Sequence, residues 1–94
     1  MIALLAKMAA ADGKAAEFES AMQGLIKAVA DTEPGNKLYT LARAEDGTYV
    51  MMELYEDEAA LAAHGQSEAF KAAAGALRGL TAGRPEVQKL DVVG

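Results

Sequence analysis

Two apolar runs, residues 36–44 and 48–55, stand on either side of Glu45, Asp46 and Gly47. A three-residue loop ending in glycine suits a bulged hairpin, because its last position takes left-handed backbone geometry. Pairing Ala44 with Thr48 then sets the register. Tyr39 falls opposite Glu53, Leu41 opposite Met51 and Arg43 opposite Tyr49 on one face, with Leu38, Thr40, Ala42, Val50, Met52 and Leu54 on the other. Neither is a plain solvent face. Such a sheet needs cover on both sides, and one chain of 94 residues supplies helices for only one of them. The second cover is expected from the sheet of another copy.

Residues 14–32 supply the first helix. Phe18, Met22, Leu25 and Val29 recur at helical spacing and Ile26 widens the stripe, while Glu17, Glu19, Gln23 and Lys27 fall elsewhere. Asp12 and Gly13 precede it and offer an N-terminal cap. Pro34 and Gly35 end it, since proline disfavours helical geometry in the residue before it. Ahead of this helix, residues 1–9 alternate Ile2, Leu4, Ala6 and Met8 with Ala3, Leu5 and Lys7, and read as a strand buried on both faces. This apolar start is too short for a signal sequence or a spanning helix.

After the hairpin, Asp57 is placed to cap a short helix running through His64, with Gly65 to end it. Ser67 caps the next, whose stripe is Phe70, Ala73 or Ala74, Leu77 and Leu80. Gly83 and Pro85 mark a loop, and residues 86–93 read as the last strand. The order strand, helix, strand, strand, helix, strand is that of an α+β, ferredoxin-like βαββαβ unit with an antiparallel sheet, one domain over 1–94.

Charge narrows the partners. A net charge of -5 works against nucleic acid and anionic membranes, both of which need clustered Lys and Arg. The absence of cysteine removes disulfides, a thiolate nucleophile and thiolate metal sites, and fits a cytoplasmic location. One histidine with scattered carboxylates does not make a three-ligand metal site. No phosphate-binding loop is present, and neither Ser20 nor Ser67 assembles into a triad.

The stretch 49–70 concentrates the remaining chemistry. If the strand and helix within it pack on each other, Glu53, Tyr55, His64 and Phe70 border one small apolar chamber. His64 is the only side chain whose ordinary pKa suits a general base near neutrality. Glu53 is a carboxylate among apolar neighbours, so a partner is expected for it, either Arg43 or His64. Structural readings stand beside these: a histidine ending a short helix can satisfy carbonyls, tyrosines can pack with a wet hydroxyl, and Met8, Met51 and Met52 can be core filler.

Glu33-Pro34-Gly35-Asn36 followed by Tyr39, then Glu53-Leu54-Tyr55 with Asp57, then Ala60, His64, Ser67 and Phe70 before Lys71, resembles the antibiotic biosynthesis monooxygenase domain, the group that includes quinol monooxygenases. The resemblance covers nearly the whole chain. It implies a homodimer packed sheet to sheet as a dimeric α+β barrel, with a ligand pocket between sheet and helices. For some members it implies oxygenation of a quinol-like or anthrone-like aromatic by O2 without metal, flavin or haem. The chain has no tryptophan, which several members place in the pocket and on which the haem-degrading branch depends.

On this footing the expected catalytic residues are His64 as base, Glu53 to orient it or raise its basicity, and Tyr39 as hydrogen-bond donor to a developing oxyanion. Tyr55, Met51, Phe70, Asn36 and Arg43 are the expected substrate-binding residues, although Asn36 also serves the turn after Pro34-Gly35. No cofactor is implied. The alternatives are an isomerase or tautomerase using the same pocket without oxygen, and a non-catalytic dimer that binds a small apolar metabolite.

Overall fold

A computed structural model describes residues 1–94. The chain runs β1 (Ile2–Met8), α1 (Ala15–Thr32), β2 (Asn36–Arg43), β3 (Tyr49–Tyr55), α2 (Glu58–Gln66), α3 (Glu68–Ala74), a 3-10 turn (Gly75–Leu77) and β4 (Glu86–Asp91). The four strands form one antiparallel sheet in the order β2-β3-β1-β4. This is the ferredoxin-like arrangement, with the second helical segment broken into α2, α3 and the 3-10 turn.

The hairpin forms in the expected register, with Tyr39 opposite Glu53, Leu41 opposite Met51 and Arg43 opposite Tyr49. Gly47 takes φ 88°, and the Ala44 N–H donates to the Thr48 carbonyl at 2.7 Å. Asp46 Oδ1 accepts from both the backbone N–H and the hydroxyl of Thr48. Near its other end β2 carries an irregularity between Asn36 and Leu38, which brings Asn36 opposite Tyr55.

The core lies between one sheet face and the helices. Phe18, Met22 and Leu25 of α1 meet Ala6, Tyr49 and Met51 of the sheet, and Phe70, Ala73, Ala74, Leu77 and Leu80 pack against this cluster. The α1 stripe is the expected one, because residues three and four apart share a helix face.

Several boundaries differ from expectation. Asp12 does not cap α1: Lys14 occupies that position, no side chain caps it, and Asp12-Gly13 forms a turn in which Gly13 has φ 75°. Asp57 and Ser67 do cap their helices, accepting from the backbone N–H groups of Ala60 and Phe70. Gly65 does not end α2, which continues to Gln66, because the Ser67 N–H bonds the His64 carbonyl and closes the turn there. β4 stops at Asp91, where its pairing with β1 runs out at Ile2.

The second sheet face has no cover within the chain. Ala3 and Leu5 of β1 and Val50, Met52 and Leu54 of β3 are half-buried, Lys7 is exposed, and every residue of β4 is exposed. β1 is therefore closed on its helix-facing side only.

Candidate active site

A cavity of about 260 Å³ lies between the sheet and the helices. Its walls are apolar: Leu4, Ala6 and Met8 from β1, Met22 and Leu25 from α1, Met51 from β3, Phe70 and Ala74 from α3, and Leu77 beyond them. Pro85 and Val87 border it at β4, where Val87 is 58% exposed. Tyr39, Glu53 and His64 supply its titratable groups, and no lysine or arginine lines it.

His64 reaches this cavity because Asp57 starts α2 and sets the phase of the helix. The imidazole is buried within an aromatic cage, its centroid 4.1 Å from Phe70, 5.3 Å from Tyr55 and 5.5 Å from Tyr39. Its Nδ1 lies 2.8 and 3.0 Å from the two carboxylate oxygens of Glu33. An ionised carboxylate only accepts hydrogen bonds, so Nδ1 carries a proton, and in the neutral imidazole Nε2 then presents its lone pair. No protein group bonds Nε2. The side chains of the pair are 9% and 7% exposed, which strengthens their interaction relative to one in water.

Glu33 is the residue that reading the sequence misses as a site residue. In the sequence it heads the Glu33-Pro34-Gly35-Asn36 run with no role assigned to it, and in the structure it is the C-cap of α1. A carboxylate there faces the negative end of the helix dipole. That unfavourable placement is the available signal that something else holds it.

Glu53 has a different partner from either one expected. Arg43 is not near it; at the other end of the hairpin its guanidinium binds Glu19 of α1 at 3.0 Å, and Glu19 also accepts from the Tyr49 hydroxyl. His64 is committed to Glu33 through Nδ1. Glu53 instead accepts a 2.7 Å hydrogen bond from the Tyr55 hydroxyl and is 7% exposed. Burial holds its carboxyl above the usual carboxylate range, a shift that the Tyr55 hydrogen bond and His64 reduce and Glu33 increases. Burial likewise raises the Tyr39 phenol, with Glu53 and Glu33 adding to the effect. Tyr55 is also raised, first by burial and then by its bond to Glu53.

Of the expected site residues, His64, Glu53, Tyr39, Met51 and Phe70 share the cavity wall. Tyr55 stands behind it, fully buried against Glu53 and His64. Asn36 and Arg43 do not reach it. Asn36 sits at the strand irregularity with its Nδ2 buried and unpaired, and Arg43 is drawn to Glu19.

A model of the antibiotic biosynthesis monooxygenase family matches residues 1–76. The chain belongs to the antibiotic biosynthesis monooxygenase family. A Caulobacter crescentus protein assigned to the antibiotic biosynthesis monooxygenases superposes with a TM-score of 0.92 at 38% identity, over 99% of this chain and 90% of that one. SnoaB, a cofactor-independent oxygenase from Streptomyces nogalater, gives 0.84 at 25% identity over 99% and 94%. PA3566 from Pseudomonas aeruginosa gives 0.83 at 25% identity over 99% and 94%. No curated protein matches. For a member of this family the fold above is the expected one, and no helix is long and apolar enough to cross a membrane.

Proposed function

We propose that this protein is a cofactor-independent monooxygenase that oxidises a small quinol-like or anthrone-like aromatic with O2 in the cavity between sheet and helices. The observation that carries the reading is the buried Glu33–His64 pair at the edge of an otherwise apolar cavity. Family membership, and the resemblance to a cofactor-independent oxygenase, supply the reaction class.

Reaction with O2 unaided by a cofactor requires an electron-rich substrate anion. His64 Nε2 takes a proton from an activated carbon or phenol, leaving the bonding electron pair on the substrate. Glu33 fixes the tautomer that makes Nε2 available and stabilises the imidazolium that forms, the part a carboxylate plays behind any histidine base. The Tyr39 hydroxyl donates to the developing oxyanion. The substrate anion reduces O2 and becomes bonded to it, and the imidazolium returns the proton to the peroxide. Cleavage of the O–O bond, with loss of the second hydrogen, leaves a carbonyl and water. In sum, a substrate methylene and O2 give a carbonyl and water, one oxygen atom going to each product and all four electrons coming from the substrate.

A cavity of about 260 Å³ lies just below the roughly 300–1,000 Å³ of sites for drug-sized ligands, which suits a compact planar guest. The homodimer belongs to the same proposal, since the uncovered sheet face is what a second copy would close.

The test is oxygen uptake with a panel of quinols and anthrones, comparing the native protein with His64→Ala. Uptake matched by oxygenated product, and lost in the variant, is the expected result. Anaerobic exchange of a substrate C–H into solvent with no oxygen uptake would make the protein an isomerase. Saturable binding with neither would leave a ligand-binding dimer.

A further inference from the structure

The buried carboxyl of Glu53 has no lysine or arginine beside it, and the one group that can offset its charge, His64, is bonded through Nδ1 to Glu33. The titratable groups facing it come from every element around it: Tyr39 from β2, Tyr55 from β3, His64 from α2, and Glu33 after α1. The lining residues of α1 and α3 are apolar. Lys89 of β4 shares the register row of Leu4, Glu53 and Tyr39, but its ammonium is bound at 2.7 Å to Glu58. Burial of this kind favours the protonated carboxyl over an unpaired charge in apolar surroundings.

Its hydrogen bonding leaves room for that state, although the Tyr55 bond by itself favours the ionised form. Tyr55 donates to Oε1 only, and no protein group meets the second oxygen. Directly across the hairpin, the Tyr39 hydroxyl has no protein acceptor and the residue lines the same cavity. With Glu53 protonated, two donors therefore stand on neighbouring strands without an acceptor, in the cavity that His64 also lines. Burial of Glu53, with the nearby negative charge of Glu33, works in the same direction.

We infer that Glu53 acts as a neutral carboxylic acid and forms, with Tyr39, a two-donor oxyanion site, so that the substrate enters uncharged and carries one oxygen that gains negative charge when His64 removes a proton. This rests on the reading of His64 as base, and it reverses the part first expected of Glu53: it is not the partner that orients His64. A neutral acid and a carboxylate-backed imidazole lining one cavity divide acid and base work between groups whose surroundings favour opposite charge states. The substrate class follows. Phenols and enolisable aromatic ketones have the required oxygen, whereas a permanent carboxylate would give up its hydration to an apolar wall with no lysine or arginine to receive its charge.

The Glu53→Gln variant would reproduce the neutral acid, its amide oxygen accepting from Tyr55 and its amide N–H donating to the guest, but it cannot ionise. The experiment uses 2-naphthol and 2-naphthoate as probes under anaerobic conditions, with the native protein, Glu53→Gln, Glu53→Ala and Tyr39→Phe. The infrared difference between native protein and Glu53→Gln at neutral pH is expected to contain a carboxylic-acid carbonyl band that moves in D2O. 2-Naphthol is expected to bind Glu53→Gln within about threefold of native, and Glu53→Ala and Tyr39→Phe at least about tenfold more weakly, with 2-naphthoate at least about tenfold weaker than the naphthol on native protein. A carboxylate band in place of the acid band overturns the inference, as does a Glu53→Gln loss as large as that of Glu53→Ala, or no saturable binding of the naphthol. Because O2 is absent, these outcomes are independent of whether the protein is an oxygenase.

Discussion

Gly35 lies against Ala60 with no room for a side chain: a Cβ at position 35 would fall 2.5 Å from the Ala60 Cβ. The contact matters because Glu33 is two residues before Gly35 and His64 is one helical turn after Ala60. The close approach of this loop to α2 therefore sets the Glu33–His64 distance. Gly35 also accepts the Glu56 N–H through its carbonyl at 2.8 Å, which pins the loop to the end of β3. Gly35→Ala must push α2 outward, and is expected to cost about 1–3 kcal/mol of stability, the usual range for overpacking. Oxygen uptake should fall by more than the unfolded fraction explains. Adding Ala60→Gly should recover activity despite a helix-propensity cost of about 1 kcal/mol. Urea midpoints and rates for the two single variants and the double variant check this.

Replacing Glu33 tests the pair from its other side. Glu33→Gln keeps an acceptor for the Nδ1 proton but loses the charge that stabilises an imidazolium, and Glu33→Ala loses both. Turnover is expected to drop on the order of 10²-fold or more in each. Nitrogen NMR of His64 should report a proton on Nδ1 in the native protein and in Glu33→Gln, and a mixture of tautomers in Glu33→Ala. One tautomer in all three would detach Glu33 from the base.

Stability should carry the signature of Glu53. Its folded-state pKa is raised above its unfolded value, chiefly by burial. Between those two values the folded protein holds a proton that the unfolded chain has released, so stability falls as pH rises across that window. The contribution is fully present below the unfolded value and is lost by the time pH passes the folded one. Glu53→Gln has no such proton. The difference in unfolding free energy between native and variant should therefore move in favour of the variant as pH climbs from the ordinary carboxylate range. A difference that is flat with pH, or of opposite slope, would contradict the assignment.

How far the sequence disclosed this arrangement depended on distance along the chain. The hairpin register followed from one glycine and an alternation of two, and the α1 face followed from a spacing of three and four, because both are local. The caps at Asp57 and Ser67 are likewise settled within three residues. The partners of charged groups are not. Glu33 and His64 are 31 positions apart, and Arg43 and Glu19 are 24 apart. Any of the 14 acidic residues could have been written beside either base. The different partners of Glu33 and Glu53 became legible only once folding had placed one beside an imidazole and the other beside a phenol.

Arg43 provides a contrast outside the cavity. Its bond to Glu19 joins two largely exposed side chains, 63% and 41% accessible, and pairs of this kind contribute about 0–1 kcal/mol. Arg43→Ala should change the unfolding midpoint only slightly and leave oxygen uptake at the native rate. A large loss of uptake without loss of stability would return Arg43 to the substrate site.

The open sheet face supplies the last prediction. Leu38, Leu54, Ala3 and Leu90 fall in one register row across all four strands, and Thr40, Met52, Leu5 and Gln88 form the next. The third row, Ala42, Val50, Lys7 and Glu86, ends in charge. Leu38 and Leu90 are 44% and 38% exposed, so the first row is an apolar band left in water. A contiguous band of this kind marks an interaction surface. If two copies close it against each other, a charge in the middle of the band must be buried without a partner on dimerisation. Leu54→Lys is therefore expected to sediment as a monomer at concentrations where the native protein is a dimer. Lys7→Glu, in the charged row, should not. Equal sedimentation of native protein and Leu54→Lys would show that copies do not meet through this face.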